Sequence, residues 1–237
     1  MRCNLRLLIG AFLLMSMSCP MAQANSELMN DLQTWQTVTL QTKIGPDKRI
    51  LGYLEVQPRT GNLDSSGTAN NDFSALIIRP AVGYQVNKHV SVWQGYAWAP
   101  QFLPFSRHEN RIFQQLIVDK KIKKIHLVNR TRLEQRWIEG ADGTSVRFRH
   151  MLRAAYPLGK SQKWSIVGYD ELFVNLNSPK GAPQGGMDQN RVFLGLNRKI
   201  NKHVNAEAGY LNQFIYARDP IADRMNHVIL LTVNFML

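Results

Sequence analysis

Nine arginines and four glutamates share one parity of the chain's period-two segments, and they are the first residues whose types and spacing could do chemistry. From Ile125 to Trp137, His126, Arg130, Arg132, Glu134 and Arg136 alternate with Ile125, Leu127, Leu133 and Trp137. Side chains alternate across a strand, so this segment is a wall between a polar space and an apolar one. Read at the same parity, Arg79, Glu109, Arg111, Arg147, Arg149, Arg153, Glu171, Arg191 and Glu207 join the charged face. A guanidinium is planar, permanently charged and able to bind two oxygens at once, which suits a desolvated interior better than an ammonium does.

Two uses of such a face are open. In one, arginines and glutamates neutralise each other and fill a narrow polar interior. In the other, the excess of arginine makes an electropositive passage or binding barrel that accepts a small anionic solute. The candidate network or anion-binding residues are Glu109, Arg111, Arg130, Arg132, Glu134, Arg136, Arg147, Arg149, Arg153, Glu171 and Arg191. His126, on the same parity, is expected to join them.

A third class, a lipid-modifying hydrolase, needs a histidine base and a hydroxyl nucleophile on the apolar face. His150 and His227 have that parity, but Ser145 sits at a strand start and Ser165 faces the other way. The sequence holds no convincing catalytic constellation. It has no metal-ligand spacing, phosphate loop or glycine-rich nucleotide fingerprint, so no cofactor and no metal are expected.

The elements that position these residues are strands. Alternating segments bounded by turn residues lie near 32–44, 49–58, 73–86, 90–99, 107–119, 124–137, 145–157, 163–176, 189–200, 203–214 and 225–237. Short connections such as Asn87-Lys88-His89 alternate with longer ones such as 177–188, the order expected of a barrel with turns at one end and loops at the other. Val86 to Val90 and Ile200 to Val204 repeat one tight-turn motif, with asparagine tolerating a left-handed backbone. A wide apolar parity (Leu76, Ile78, Val82, Tyr84, Val86) opposes small and charged residues (Ala75, Arg79, Ala81, Gly83). A packed soluble core would want bulk on that second face. Tyr96, Trp98, Trp137, Tyr156 and Trp164 gather near strand ends, where interfacial girdles lie. The expected fold is therefore an all-β, antiparallel, up-and-down transmembrane β-barrel of about 10–12 strands. The count of eleven conflicts with the even numbers of bacterial single-chain barrels, so either a strand is missed or the first does not span.

The first residues indicate export. Arg2 and Arg6 precede an apolar Leu7 to Met17, and Ala22-Gln23-Ala24 has the form of a cleavage site. The division is 1–24 signal peptide and 25–237 barrel. Cleavage leaves 213 residues, with a net charge of +10 once Arg2 and Arg6 have left the formal +12. Cys3 and Cys19 leave too, which rules out disulfides and cysteine-ligated metals in the mature chain. Export argues against a nucleic-acid partner for this basic chain. Outer-membrane lipid and lipopolysaccharide are the expected surroundings, in the outer membrane of a Gram-negative bacterium. The Lys120, Lys121, Lys123 and Lys124 cluster reads as a solvated turn. The final run His227, Ile229, Leu231, Val233, Phe235 and Leu237 shares one face, as in strands read by the barrel assembly machinery, but it ends on Leu237 with Phe235 two places inside, where such strands typically carry a terminal aromatic.

Several short motifs occur in a recognisable order: the Trp35 strand, Asn129 to Arg136, Arg147-Phe148-Arg149, Glu171 to Asn175, Asp188 to Arg191, and Gly209-Tyr210-Leu211. In this the chain resembles the outer-membrane barrel proteins catalogued as domain of unknown function 2490. The resemblance covers essentially the whole mature chain and implies an outer-membrane location without an established activity.

Overall fold

A computed structural model describes residues 28–63, 69–103, 106–217 and 222–237. The signal segment 1–24, with Cys3 and Cys19, lies outside the described residues. Eleven strands follow one another: β1 (Met29–Ile44), β2 (Ile50–Leu63), β3 (Ala69–Gln85), β4 (Val90–Trp98), β5 (Glu109–Ile122), β6 (Ile125–Ile138), β7 (Ser145–Leu158), β8 (Trp164–Asn175), β9 (Gly186–Lys199), β10 (Val204–Ile215) and β11 (Arg224–Met236). Each pairs with its sequence neighbour in antiparallel fashion, and the sheet closes where β1 meets β11.

That closing seam is parallel, from Met29 opposite Arg224 to Gln41 opposite Met236. An odd number of strands leaves the first and last running the same way, so a parallel seam is the geometric consequence of eleven. The eleven described strands close the barrel by themselves, and β1, at 16 residues, is as long as its neighbours. The start of β1 therefore lies at the end of the barrel that carries the long connections. The end of β11 lies at the short-turn end.

Turn chemistry fixes the short end. Asn87 accepts from the backbone N–H groups of His89 and Val90 at 2.9 and 3.0 Å. Asn201 does the same for His203 and Val204 at 2.7 and 2.8 Å. The repeated asparagines thus act through their side chains, whereas left-handed backbone falls on Lys48, Lys123 and Gln162 among non-glycine residues. A side chain that caps a turn competes well with solvent for the same N–H groups.

The two faces divide as parity demands. Leu54, Val82, Leu172, Leu194, Ile229 and Leu231 are exposed on the outside. Such a surface stands in hydrocarbon, and closure leaves no strand edge unpaired there. Trp98 and Trp137 ring the long-loop end, and Tyr84, Tyr156 and Trp164 ring the short-turn end, all exposed. Inside, rings lie flat over glycines on adjacent strands: Trp93 opposite Gly83, and Phe113 opposite Gly95. A Cβ at either glycine would collide with the ring. The interior is therefore filled partly by aromatics that sit where the sheet itself has no side chain.

Candidate functional site

The charged face of β5, β6 and β7 looks inward. Its register sets Arg111 opposite Arg136, and Arg132 opposite Arg149. Like charges placed directly opposite repel, so the arrangement needs shared carboxylates. Glu109 supplies one: Arg111 donates to it at 2.6 and 3.0 Å, and Arg136 at 2.6 and 3.2 Å. Glu134 supplies another, accepting from Arg147 at 2.7 Å and Arg149 at 2.7 Å, with Arg132 at 3.5 Å. Arg149 also reaches Glu171 at 2.7 Å, which Arg130 reaches at 2.8 Å. Arg147 extends to Asp188 at 3.0 Å, and Arg153 spans to Glu207 on β10 at 2.6 Å. On the facing wall Arg79 pairs with Glu55, which also accepts from the Tyr53 hydroxyl. Most of these groups are buried and Arg130 and Arg153 are half-buried, and a buried charge persists only where partners replace its water.

Three inward arginines stand apart. Arg59 donates to Gln57 Oε1 at 3.0 and 2.6 Å, and Arg191 donates to Gln189 Oε1 at 3.0 Å, so each meets an amide. Arg224 makes no side-chain hydrogen bond among the described residues, and none of the three forms an ion pair there. Arg59 and Arg191 both stack on Trp35, their guanidinium carbons 3.7 and 5.0 Å from its ring centre, and Arg191 also lies 4.5 Å from the Phe173 ring centre. An aromatic face attracts a cation without cancelling its charge. A chain of amides holds the arrangement: Asn226 donates to Gln213 at 2.9 Å, and Gln213 to Gln189 at 2.7 Å.

These arginines line a vestibule of about 230 Å³ at the long-loop end. Its wall includes Arg59, Arg79, Arg111, Arg136, Arg147, Arg149, Arg191 and Arg224, with Glu109 as the acidic member. Below it, buried side chains fill the lumen. Trp35, Phe113, Phe173, Phe193 and Glu134 are each no more than 2 % exposed, and the Arg132 guanidinium covers the Phe113 ring at 4.1 Å. A second cavity of about 110 Å³, lined by Gln41, Tyr53, Trp93, Phe113, Arg130 and Arg132 among others, lies beyond it and shares no wall residue with the first.

Of the residues singled out from sequence, the structure gathers Arg130, Arg132, Glu134, Arg147, Arg149 and Glu171 into one cluster and Glu109, Arg111 and Arg136 into another. Arg153 pairs separately, and Arg191 belongs to the Trp35 stack. His126 does not join the arginines. It is exposed at the short-turn end, 2.5 Å from Asp119, because β5 and β6 run on past the arginine ladder before turning. Sequence reasoning missed Arg59, since β2 continues beyond residue 58 and carries Arg59 on the parity of Glu55. It also missed Asp188, where a bulge opposite Phe173 and Val174 turns an extra residue inward. On the outside, His150 has a hydroxyl neighbour after all: Thr131 Oγ1 is 3.1 Å from Nδ1 and Asn129 is 3.3 Å from Nε2. His227 contacts Tyr210 at 2.6 Å and Asn30 at 3.3 Å.

A closed barrel with hydrocarbon-facing side chains outside and an arginine-rich lumen inside defines a transmembrane β-barrel, and its fold is consistent with an outer-membrane location. Residues 32–226 match the family described as Protein of unknown function (DUF2490), and the chain belongs to that family. An uncharacterized protein of Methylorubrum extorquens is 37 % identical over 216 residues, covering 88 % of each chain. Among solved structures, a bacterial polysaccharide outer membrane secretin is similar at 12 % identity and a TM-score of 0.46, covering 78 % of this chain and 73 % of that one.

Proposed function

We propose that the protein is an outer-membrane barrel that accepts a small oxyanion into its long-loop vestibule, and that it holds the anion there because the waist closes the path beyond. The observation that carries this reading is the presence of Arg59, Arg191 and Arg224 in the vestibule wall with no carboxylate at ion-pair distance among the described residues. Confined positive charge needs compensation, and a phosphate-like or carboxylate group offers the oxygens that guanidinium geometry matches. The reading includes export through a cleaved signal at 1–24, insertion by the barrel assembly machinery, and surroundings of lipid and lipopolysaccharide in a Gram-negative envelope.

Titration calorimetry of the folded barrel in zwitterionic detergent with inorganic phosphate tests it. Saturable binding that weakens at least tenfold in R59Q/R191Q, with the fold intact by unheated gel mobility, supports the reading. No binding by the wild-type barrel to phosphate, sulfate or citrate overturns it. A second reading, a structural barrel whose lumen is simply filled, draws on the buried rings at the waist and the dense pairing around Glu134. That reading gains if R59Q/R191Q and wild type behave alike toward every anion tried.

A further inference from the structure

The outward surface of β6 to β9 interrupts its apolar band with a polar patch. Asn129 and Thr131 of β6, His150 of β7, Asp170 of β8 and Asn190 of β9 all carry the hydrocarbon-facing parity. Register places them on adjacent rungs: Thr131 opposite His150, Asn129 opposite Leu152, Leu152 opposite Asp170, and Leu172 opposite Asn190. Asn190 donates to Asp170 Oδ1 at 2.6 Å, and His150 lies between Thr131 and Asn129.

The patch is deep. Thr131 is six residues from Trp137 at the long-loop girdle, and His150 is six from Tyr156 at the opposite one. Six residues span roughly 20 Å of strand, or about 15 Å along the membrane normal at the usual tilt. In an apolar band roughly 25 Å tall, both positions fall near the middle. Lipid ester bonds lie at the edges of that band, so the Thr131–His150 pair is badly placed for hydrolysis. Ionisable groups at such depth face protein or water rather than acyl chains. Beside them Ala154 stands opposite Gly168, leaving a hollow that allows close approach of another surface.

We propose that this face is a lateral interface within the bilayer and that its occupant is a second copy of this chain. A two-fold axis along the membrane normal, placed between β7 and β8, sets β7 of each copy against β8 of the other. His150 and Asp170, a base and an acid on those neighbouring strands, are then complementary to themselves across the axis, as an isologous contact requires. The pairing gives Asp170 a second hydrogen-bond donor beside Asn190, with His150 exchanging its long 3.3 Å contact to Asn129 for the carboxylate of the other copy.

The test uses the mature sequence, whose cysteines at 3 and 19 depart with the signal, so that an introduced cysteine is the single thiol. L152C barrels in liposomes at high dilution should form disulfide dimers on mild oxidation, whereas L231C barrels, labelled on β11, should not. The same barrels should sediment as two chains in density-matched micelles, falling to one in H150L/D170L while keeping the unheated gel mobility of a folded barrel. A single chain for the wild-type barrel in both micelles and liposomes overturns the proposal. So does an L152C cross-link found in cell envelopes only to a different protein. Ester hydrolysis of phospholipid vesicles by wild type, lost in H150L, also counts against it, because it gives the patch another use.

Discussion

Glu134 illustrates how the interior is balanced residue by residue: it is 1 % exposed and faces Arg132, Arg147 and Arg149 together. E134Q keeps its shape and removes the charge those guanidiniums share. Breaking a buried pair costs about 3 to 5 kcal/mol, so E134Q should unfold at a markedly lower urea concentration. R59Q/R191Q leaves no carboxylate unpaired among the described residues, and its urea midpoint should stay close to wild type. Equal losses in the two variants would contradict the division of arginines into paired and unpaired sets. That division was only half legible in sequence. Parity alone puts Arg130, Arg132 and Arg136 on one face, because β6 is uninterrupted. Which carboxylate serves which arginine depends on neighbours brought in by β8 and β9, far along the chain. Phe113, Phe173 and Phe193 were hidden for another reason: they occupy the polar parity, and only for Phe113 and Phe193 do nearby glycines hint that rings fit there.

At the level of elements, eleven alternating segments can be read from the sequence because each strand carries its own period and turn residues punctuate the segments, as Asn87 and Asn201 do by capping. The seam between β1 and β11 cannot, since nothing local in Met29–Ile44 names a partner nearly two hundred residues away. The parallel closure makes a specific prediction. Thr37 and Thr232 are register partners, both on the inward parity, and adjacent strands sit roughly 4.8 Å apart, within disulfide reach. T37C/T232C should therefore form an intramolecular disulfide on oxidation, seen by mass spectrometry as the loss of two hydrogens. Free, fully alkylated thiols in the folded barrel would show that β1 lies elsewhere.

For the whole molecule, the odd strand number fixes which groups share an end. Leu28 and Gly181 lie at the long-loop end, and Lys202 lies in a short turn. In intact cells a membrane-impermeant maleimide should label L28C and G181C together and leave K202C unlabelled. Labelling of K202C together with L28C would break the topology. The same axis gives the vestibule its direction, with arginines opening toward the loops and aromatic side chains closing the middle. The central claim is that this arginine-rich interior is blocked at its waist and receives an oxyanion at Arg59 and Arg191. A crystal structure of the barrel grown in selenate, read by its anomalous scattering, tests it most directly. The account predicts a selenium peak within hydrogen-bond distance of both guanidiniums, above a waist with no continuous water path. An open water-filled channel, or a vestibule empty of selenium at full occupancy elsewhere in the lumen, would contradict it.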